Sequence, residues 1–241
     1  MDKSEIYRIL NEAYFSDQRH EKETLEHLAE LLTGVKVFID IGASLGQYTY
    51  FANHSVKNGW IVAVEPDPVR YEELERNCRR WEALSSNRLR PLQAAICDQD
   101  GDTSFYITNS NYSGGLFKHP LSDPAVDWLK ITVPCYRLDT LFSDSSPDLV
   151  KIDVEGSELR VLRGAQGILK EGKTKFLMEI HSWADPEGQK DASEVFSFME
   201  AYHYKFVEFH GRILFMKSTR RNRMKDLAGR MKKFATTRLS F

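Results

Sequence analysis

Residues 35–46, VKVFIDIGASLG, join an apolar run to an acidic residue and two glycines. Such a run is typical of a strand buried in a parallel sheet. The glycines that follow it, Gly42 and Gly46, allow a tight turn and a close approach of the backbone to a ligand. A helix predicted over residues 47–58 completes a strand, a glycine loop and a helix, which is the order that a nucleotide-binding site requires.

The next predicted strand, residues 60–64, leads into Glu65, 19 positions after Gly46. An acidic side chain at this distance is suited to accept hydrogen bonds from the hydroxyls of a ribose. The loop has two glycines where a pyrophosphate-binding loop has three, and Asp40 would repel a phosphate. The pattern therefore favours a cationic ligand without phosphate, S-adenosylmethionine. The alternative is an ordinary turn between a strand and a helix.

The composition indicates one catalytic domain with appendages. Of 241 residues, 41% are hydrophobic and 12% aromatic, enough for a single sizeable core. Cys78, Cys97 and Cys135 are widely spaced and form no CxxC pair, so they predict neither a disulfide framework nor a cysteine zinc site. No apolar run reaches eighteen residues and the first residues lack a signal-peptide core. We therefore expect a protein of the reducing cytoplasm.

Basic residues are concentrated at the C-terminus. The whole chain carries a net charge of −2, yet residues 217–241 hold nine basic residues and one acidic residue. Apolar side chains there recur on one face of a predicted helix: Met224, Leu227, Ala228, Met231, Phe234 and Ala235. From Met224 to the C-terminal Phe241 the segment suits peripheral contact with an anionic membrane. The alternatives are packing of this helix on the acidic body of the protein and a disordered tail. The lack of interleaved aromatic residues disfavours binding of nucleic acid by the tail.

Strand and helix patterns alternate along the remaining chain, which predicts an α/β fold with an open, mostly parallel sheet. The predicted helices are two within residues 4–33 and others over 69–84, 157–169 and 194–202; the predicted strands are 89–96, 103–108, 130–137, 148–154, 175–180 and a terminal hairpin over 205–216. Residues 109–119 are either a loop near the site or a surface linker. We divide the chain into a helical segment (1–34), a catalytic domain (35–217) and a basic tail (218–241).

Six blocks of sequence resemble the FkbM-type methyltransferases. They are VFIDIGASLG at 37–46, VEPDP at 64–68, LDTL at 138–141, KIDVEGSE at 151–158, VLRG at 161–164 and MEI at 178–180. The resemblance spans about residues 35–210. It implies a Rossmann-like class I methyltransferase sheet of seven strands, the last antiparallel, with helices on both faces. It also implies methyl transfer from S-adenosylmethionine, mostly to hydroxyls of sugars and natural products, with S-adenosylhomocysteine as the product.

The same resemblance implies a set of cofactor contacts. They fall on Asp40, Gly42, Ser44, Gly46 and Glu65, with Ala94 or Ala95 near the adenine. Ser44 stands where the family commonly has an asparagine and keeps an oxygen that can form hydrogen bonds.

Ionisable residues alternate at the ends of two predicted strands. They are Lys151, Asp153 and Glu155 on one strand and Glu179 and His181 on the other. A hydroxyl needs to lose its proton during methyl transfer, so we predict Asp153, Glu155 and His181 to be catalytic. His181 is the natural base by its ordinary pKa, and either carboxylate could orient it or take the proton itself.

Other interpretations of these residues remain open. Lys151 and Asp153 could form a structural ion pair, and Glu155 could complement the dipole of the following helix. A divalent metal held by Asp153, Glu155, Glu179 or His181 is not favoured, because no spacing motif supports it.

The function expected from the sequence is O-methylation of a saccharide or a related polyhydroxylated metabolite, with a small molecule or glycan as the partner. One alternative is an N-methyltransferase acting on protein or RNA. Against a base-flipping enzyme, residues 154–156 read VEG in place of an Asn/Asp-Pro-Pro-Tyr/Phe block. The other alternative is a non-catalytic binding module that uses the basic tail.

Overall fold

A computed structural model describes residues 28–108, 114–118, 126–181, 192–209 and 212–217. Of the predicted helical segment, only residues 28–34 are described, and the basic tail with its predicted helix lies outside the described residues. Of the predicted loop 109–119, residues 114–118 are described. Among the described helices, none is both long and apolar enough to span a membrane.

Strands and helices alternate through the described part of the chain. The strands are β1 (Val37–Ile41), β2 (Trp60–Val64), β3 (Arg88–Leu92), β4 (Ala95–Ile96), β5 (Gly101–Ile107), β6 (Leu129–Tyr136), β7 (Leu149–Ile152), β8 (Lys175–Met178), β9 (Tyr204–Phe209) and β10 (Arg212–Lys217). The helices are α1 (Gln47–Ser55), α2 (Pro68–Glu82), α3 (Leu138–Leu141), α4 (Glu158–Arg163), α5 (Gln166–Glu171) and α6 (Ala192–Ala201).

The central sheet has seven strands in the order β3-β2-β1-β7-β8-β10-β9. Neighbours from β3 to β8 pair in parallel, whereas β10 runs antiparallel to both β8 and β9. This order confirms the predicted α/β fold and the antiparallel terminal hairpin. It also places the ends of β1 and β7 side by side, where parallel sheets bind ligands.

Two apolar clusters cover the two faces of the sheet. Alternate residues of β1 belong to different clusters, because successive side chains of a strand point to opposite faces. Phe38 packs in the cluster that contains α1 and α2, and Ile39 packs in the cluster that contains α4, α5 and α6. The prediction of helices on both faces is therefore confirmed.

A second sheet of three strands, β4-β6-β5, lies between β3 and β7 in the chain. The antiparallel pairing of β5 with β6 confirms the predicted partnership of residues 103–108 and 130–137. The predicted strand 89–96 is divided between the two sheets as β3 and β4. The predicted helix 157–169 is likewise divided into α4 and α5, which are separated by Gly164 and Ala165. At Gly164 a Cβ atom would lie 2.0 Å from the backbone oxygen of Cys97, so this position requires a glycine.

The cysteine prediction was wrong on one point. Cys97 and Cys135 form a disulfide across the small sheet, between residues 38 positions apart. Cys135 lies opposite Ala95 in the register of β4 and β6, so strand pairing rather than sequence spacing brings the sulfurs together. The expectation of a reducing compartment rested partly on the absence of a disulfide and loses that support. Cys78 is a buried free thiol.

Candidate active site

The glycine loop after β1 makes the tight turn that its sequence predicts. Gly42 and Gly46 have φ values of 72° and 93°, in the left-handed region that favours glycine. The N–H groups of Gly42 and Ala43 both donate to the carbonyl of Val64 at 3.0 Å. A Cβ atom on Gly42 would lie 1.8 Å from the backbone oxygen of Asp153. The loop is therefore held between the ends of β2 and β7.

Glu65 lies beside this loop, as the sequence predicts. Its carboxylate accepts hydrogen bonds from the backbone N–H groups of Ser44 and Asp67 at 2.8 and 2.9 Å. Burial raises the pKa of Glu65 to about 6, against the opposing effect of these hydrogen bonds. Because each carboxylate oxygen can accept more than one hydrogen bond, Glu65 keeps acceptor capacity for a ligand.

A cleft at the carboxyl ends of the strands connects the glycine loop with the turn after β7. Its empty volume is about 720 Å³, open mouth included. Seven of the predicted site residues line it: Gly42, Ser44, Glu65, Ala94, Ala95, Asp153 and Glu155. Gly114 and Leu116 also line it, which favours the prediction that residues 109–119 form a loop near the site. Sequence reasoning missed Arg70 and Phe105, which line it as well. Arg70 donates to the hydroxyl of Ser44 at 3.2 Å.

Asp40, which is predicted to contact the cofactor, is not among the residues that line this cleft. Its side chain is fully buried beneath the loop, where Thr49 donates to its carboxylate at 2.8 Å. The ammonium nitrogen of Lys151 lies 3.4 Å from the same carboxylate. Gly46 is also outside the cleft lining and forms the N-cap of α1. Both residues therefore support the conformation of the glycine loop from outside the cleft.

Lys151 is a buried cation that connects the glycine loop with the turn after β7. Its Nζ atom lies 3.5 Å from the carboxylate of Asp153 and donates to the carbonyl of Gly42 at 3.2 Å. Burial opposes its charge, but the carboxylates of Asp153 and Asp40 outweigh this effect and raise its pKa. The ion pair considered from the sequence is therefore present, and Asp153 still faces the cleft.

Asp153 and Glu155, which line the cleft after β7, meet His181, which lies outside the cleft lining. Each offers one ligand atom, and these atoms lie within 4.8 Å of one another. Glu155 has a φ of 54°, which is uncommon for a residue with a side chain and is characteristic of functional turns. Since β7 ends at Ile152, this turn rather than strand alternation directs Glu155.

Two residues of this region were not predicted as site residues. Glu158 is fully buried, and its carboxylate lies 2.7 Å from Nδ1 of His181. Arg212, from β10, lies 2.8 Å from the carboxylate of Glu179. Glu158 belongs to the KIDVEGSE block, which was the only sequence signal for it. Arg212 had no local signal, because it reaches Glu179 through the pairing of β10 with β8.

The surroundings of His181 alter its acid–base behaviour. Burial alone would lower its pKa, but the hydrogen bond to Glu158 and the charges of Glu158, Glu155 and Asp153 raise it to about 9. The imidazole is therefore protonated near neutral pH. The expectation that His181 is the base because of an ordinary pKa is not supported by this environment.

The sheet order, the glycine loop and the adjacent acidic residue together define a class I methyltransferase fold. The family model for the methyltransferase FkbM domain matches residues 40–206. The chain belongs to the FkbM methyltransferase family, in agreement with the resemblance identified in its sequence.

Similar proteins carry the same description. The chain is 27% identical over 196 residues to the hexuronic acid methyltransferase AglP of Haloferax volcanii, covering 80% of this chain and 72% of AglP. It is 29% identical over 154 residues to the methyltransferase sdnD of Sordaria araneosa, covering 52% and 59% of the two chains. A crystal structure of methyltransferase FkbM from Methylobacillus flagellatus KT shares the fold with a TM-score of 0.53 and 17% identity. That alignment covers 76% of this chain and 44% of the other.

Proposed function

We propose that this methyltransferase uses S-adenosylmethionine to methylate a hydroxyl group of a saccharide or a related polyhydroxylated metabolite. One observation carries the proposal: a single cleft runs from the glycine loop and Glu65 to the carboxylates of Asp153 and Glu155. A site for a nucleoside thus lies beside groups that can accept a hydroxyl proton. The similarity to AglP, a hexuronic acid methyltransferase, supports a sugar as the acceptor.

The residues of the cleft fit this cofactor. Glu65 keeps oxygen lone pairs that suit ribose hydroxyls, and the small side chains of Ala94 and Ala95 leave room for a flat ring. Gly42 lines the cleft without a side chain that would occupy it. When bound, the cofactor supplies a methyl group on a positively charged sulfur, and the carboxylates at the far end of the cleft favour that charge.

Asp153 and Glu155 would receive the proton of the acceptor hydroxyl. As the oxygen–carbon bond forms and the carbon–sulfur bond breaks, the proton passes to a carboxylate oxygen, and the products are a methyl ether and S-adenosylhomocysteine. His181 is not part of the cleft lining, and its Nε2 atom lies 3.4 Å from the carboxylate of Glu155. We therefore assign His181 to positioning that carboxylate. Alignment of the acceptor contributes about 7–11 kcal/mol to such reactions, and proton removal about 10²–10⁴-fold.

The proposal is tested by supplying S-adenosylmethionine labelled in its methyl group together with free hexuronic acids, neutral sugars and oligosaccharides. We expect the label in a saccharide and stable to mild alkali, because a methyl ether survives conditions that hydrolyse a methyl ester. Label found only in added RNA or protein, or only as an alkali-labile ester, would contradict O-methylation of a hydroxyl.

The raised pKa of Glu65 predicts weaker cofactor binding in acid. Ribose hydroxyls donate to the charged carboxylate, so affinity for S-adenosylhomocysteine should fall as the pH drops through about 6. We expect the affinity to be about tenfold lower at pH 5 than at pH 7.5, because only about one carboxyl in ten is charged at one pH unit below its pKa. Calorimetry at both pH values measures this change.

The variant Glu65→Gln is the control for this pH dependence. It should bind S-adenosylhomocysteine weakly and almost equally at both pH values. Protonation of Glu65 would not lower the affinity by unfolding the protein, because a carboxyl whose pKa is raised on folding stabilises the folded state at low pH. That contribution is lost as the pH rises through about 6. Unchanged pH dependence in Glu65→Gln would remove Glu65 from the cofactor site.

A further inference from the structure

A mixed set of ligand atoms converges at the acceptor end of the cleft. One carboxylate oxygen from each of Asp153 and Glu155 and one imidazole nitrogen of His181 lie within 4.8 Å of one another. We propose that these three residues bind a divalent metal ion of the manganese or magnesium type. The proposal deepens the proposed function and rests on it, since it adds a constituent to the same site.

The donor types suit such an ion. Carboxylate oxygens are preferred ligands of magnesium and manganese, and imidazole also binds first-row divalent metals. His181 would bind through Nε2, and the metal would displace the proton that this nitrogen carries in the metal-free protein. Three protein ligands leave positions open on a six-coordinate ion for hydroxyl oxygens of an acceptor and for water. The sequence shows no metal-binding spacing motif because the ligands come from two turns, one after β7 and the other after β8.

A buried carboxylate orients the imidazole for this role. Glu158 has no solvent exposure, and its Oε1 lies 2.7 Å from Nδ1 of His181 and accepts from the N–H of Gly156 at 2.9 Å. Nε2 of His181 consequently faces the carboxylate of Glu155, at 3.4 Å. A histidine whose second nitrogen is held by a carboxylate is a common arrangement for metal ligands. Within the described residues, the other oxygen of Glu158 has no hydrogen-bond partner and is buried.

A bound cation is compatible with the proton transfer proposed above. A metal ion lowers the pKa of a bound hydroxyl, which makes its proton easier to remove. A carboxylate that ligates through one oxygen keeps its second oxygen, which can accept that proton. The cation would thus add orientation and acidity to the acceptor, while Asp153 or Glu155 still takes the proton.

The test measures metal binding directly. The full-length protein is freed of metal with EDTA and titrated with Mn²⁺, and the signal of free Mn²⁺ is followed by electron paramagnetic resonance. We expect one bound Mn²⁺ per chain. The variants Asp153→Asn, Glu155→Gln and His181→Gln should each weaken binding at least about tenfold, the scale that even indirect partners of a metal show. Spin-echo modulation from a nitrogen nucleus should be present in the wild type and absent in His181→Gln.

Two controls show whether Mn²⁺ binding belongs to this cluster and whether the protein remains folded. Glu72 is an exposed carboxylate of α2 that pairs with Arg76, and Glu72→Gln should bind Mn²⁺ as the wild type does. Calorimetry with S-adenosylhomocysteine shows whether each variant is folded and whether the cofactor site exists. Cofactor binding without Mn²⁺ binding, or Mn²⁺ binding that none of the three variants weakens, would overturn the metal site. Mn²⁺ binding without cofactor binding would instead contradict the proposed function.

Discussion

Glu155→Gln and Asp153→Asn are each expected to lower kcat by about 10²–10⁴-fold, the range for loss of a positioned proton acceptor. Both side chains line the cleft, and both substitutions keep the size of the side chain while removing its charge. Binding of S-adenosylhomocysteine should change little in Glu155→Gln, because Glu65 and the glycine loop lie at the other end of the cleft. Turnover with labelled S-adenosylmethionine and calorimetry with the product measure the two effects separately.

Glu72→Gln is a matched control, since it removes a carboxylate charge from the exposed face of α2 and should retain full activity. Asp153→Asn tests a further contact, because it also leaves Lys151 with one fewer carboxylate partner. We therefore expect Asp153→Asn to lower the melting temperature. Wild-type turnover in both cleft variants would show that proton removal takes place elsewhere.

The cofactor end of the cleft was largely predictable from local sequence. An apolar run fixes β1 as a buried strand, and the glycines after it fix the turn. Glu65 follows the next strand in the chain, and parallel neighbours end at the same edge of the sheet. The same argument predicted that residues after β7 and β8 would meet, and Asp153, Glu155 and His181 do so.

The remaining features depend on contacts between distant parts of the chain. Periodicity placed Asp40 at a strand end but could not show that Lys151 and Thr49 would cover its carboxylate. Arg212 reaches Glu179 only because β10 is inserted between β8 and β9. An ordinary pKa was assumed for His181 from the sequence. The pKa of His181 is raised by the buried Glu158, the first residue of α4. None of these contacts has a signature in residue spacing.

Gly42→Ala is expected to destabilise the protein by about 2–5 kcal/mol and to abolish binding of S-adenosylhomocysteine. A residue with a side chain costs about 1–2 kcal/mol in the left-handed region, and overpacking adds about 1–3 kcal/mol. The added Cβ atom would lie 1.8 Å from the backbone oxygen of Asp153. That backbone is held in place, because the N–H of Asp153 donates to the carbonyl of Ile41 at 3.1 Å.

Gly34→Ala separates the two causes of this loss. Gly34 has a φ of 79°, close to the 72° of Gly42, but no atom of the described residues lies within 4 Å of a Cβ added there. It should therefore cost only about 1–2 kcal/mol, the strain of the left-handed backbone, and leave binding of S-adenosylhomocysteine intact. Urea unfolding of both variants gives the difference in the free energy of unfolding. Equal destabilisation, or a Gly42→Ala variant that binds S-adenosylhomocysteine normally, would show that the loop can move away from Asp153 and that its close packing is not required for the site.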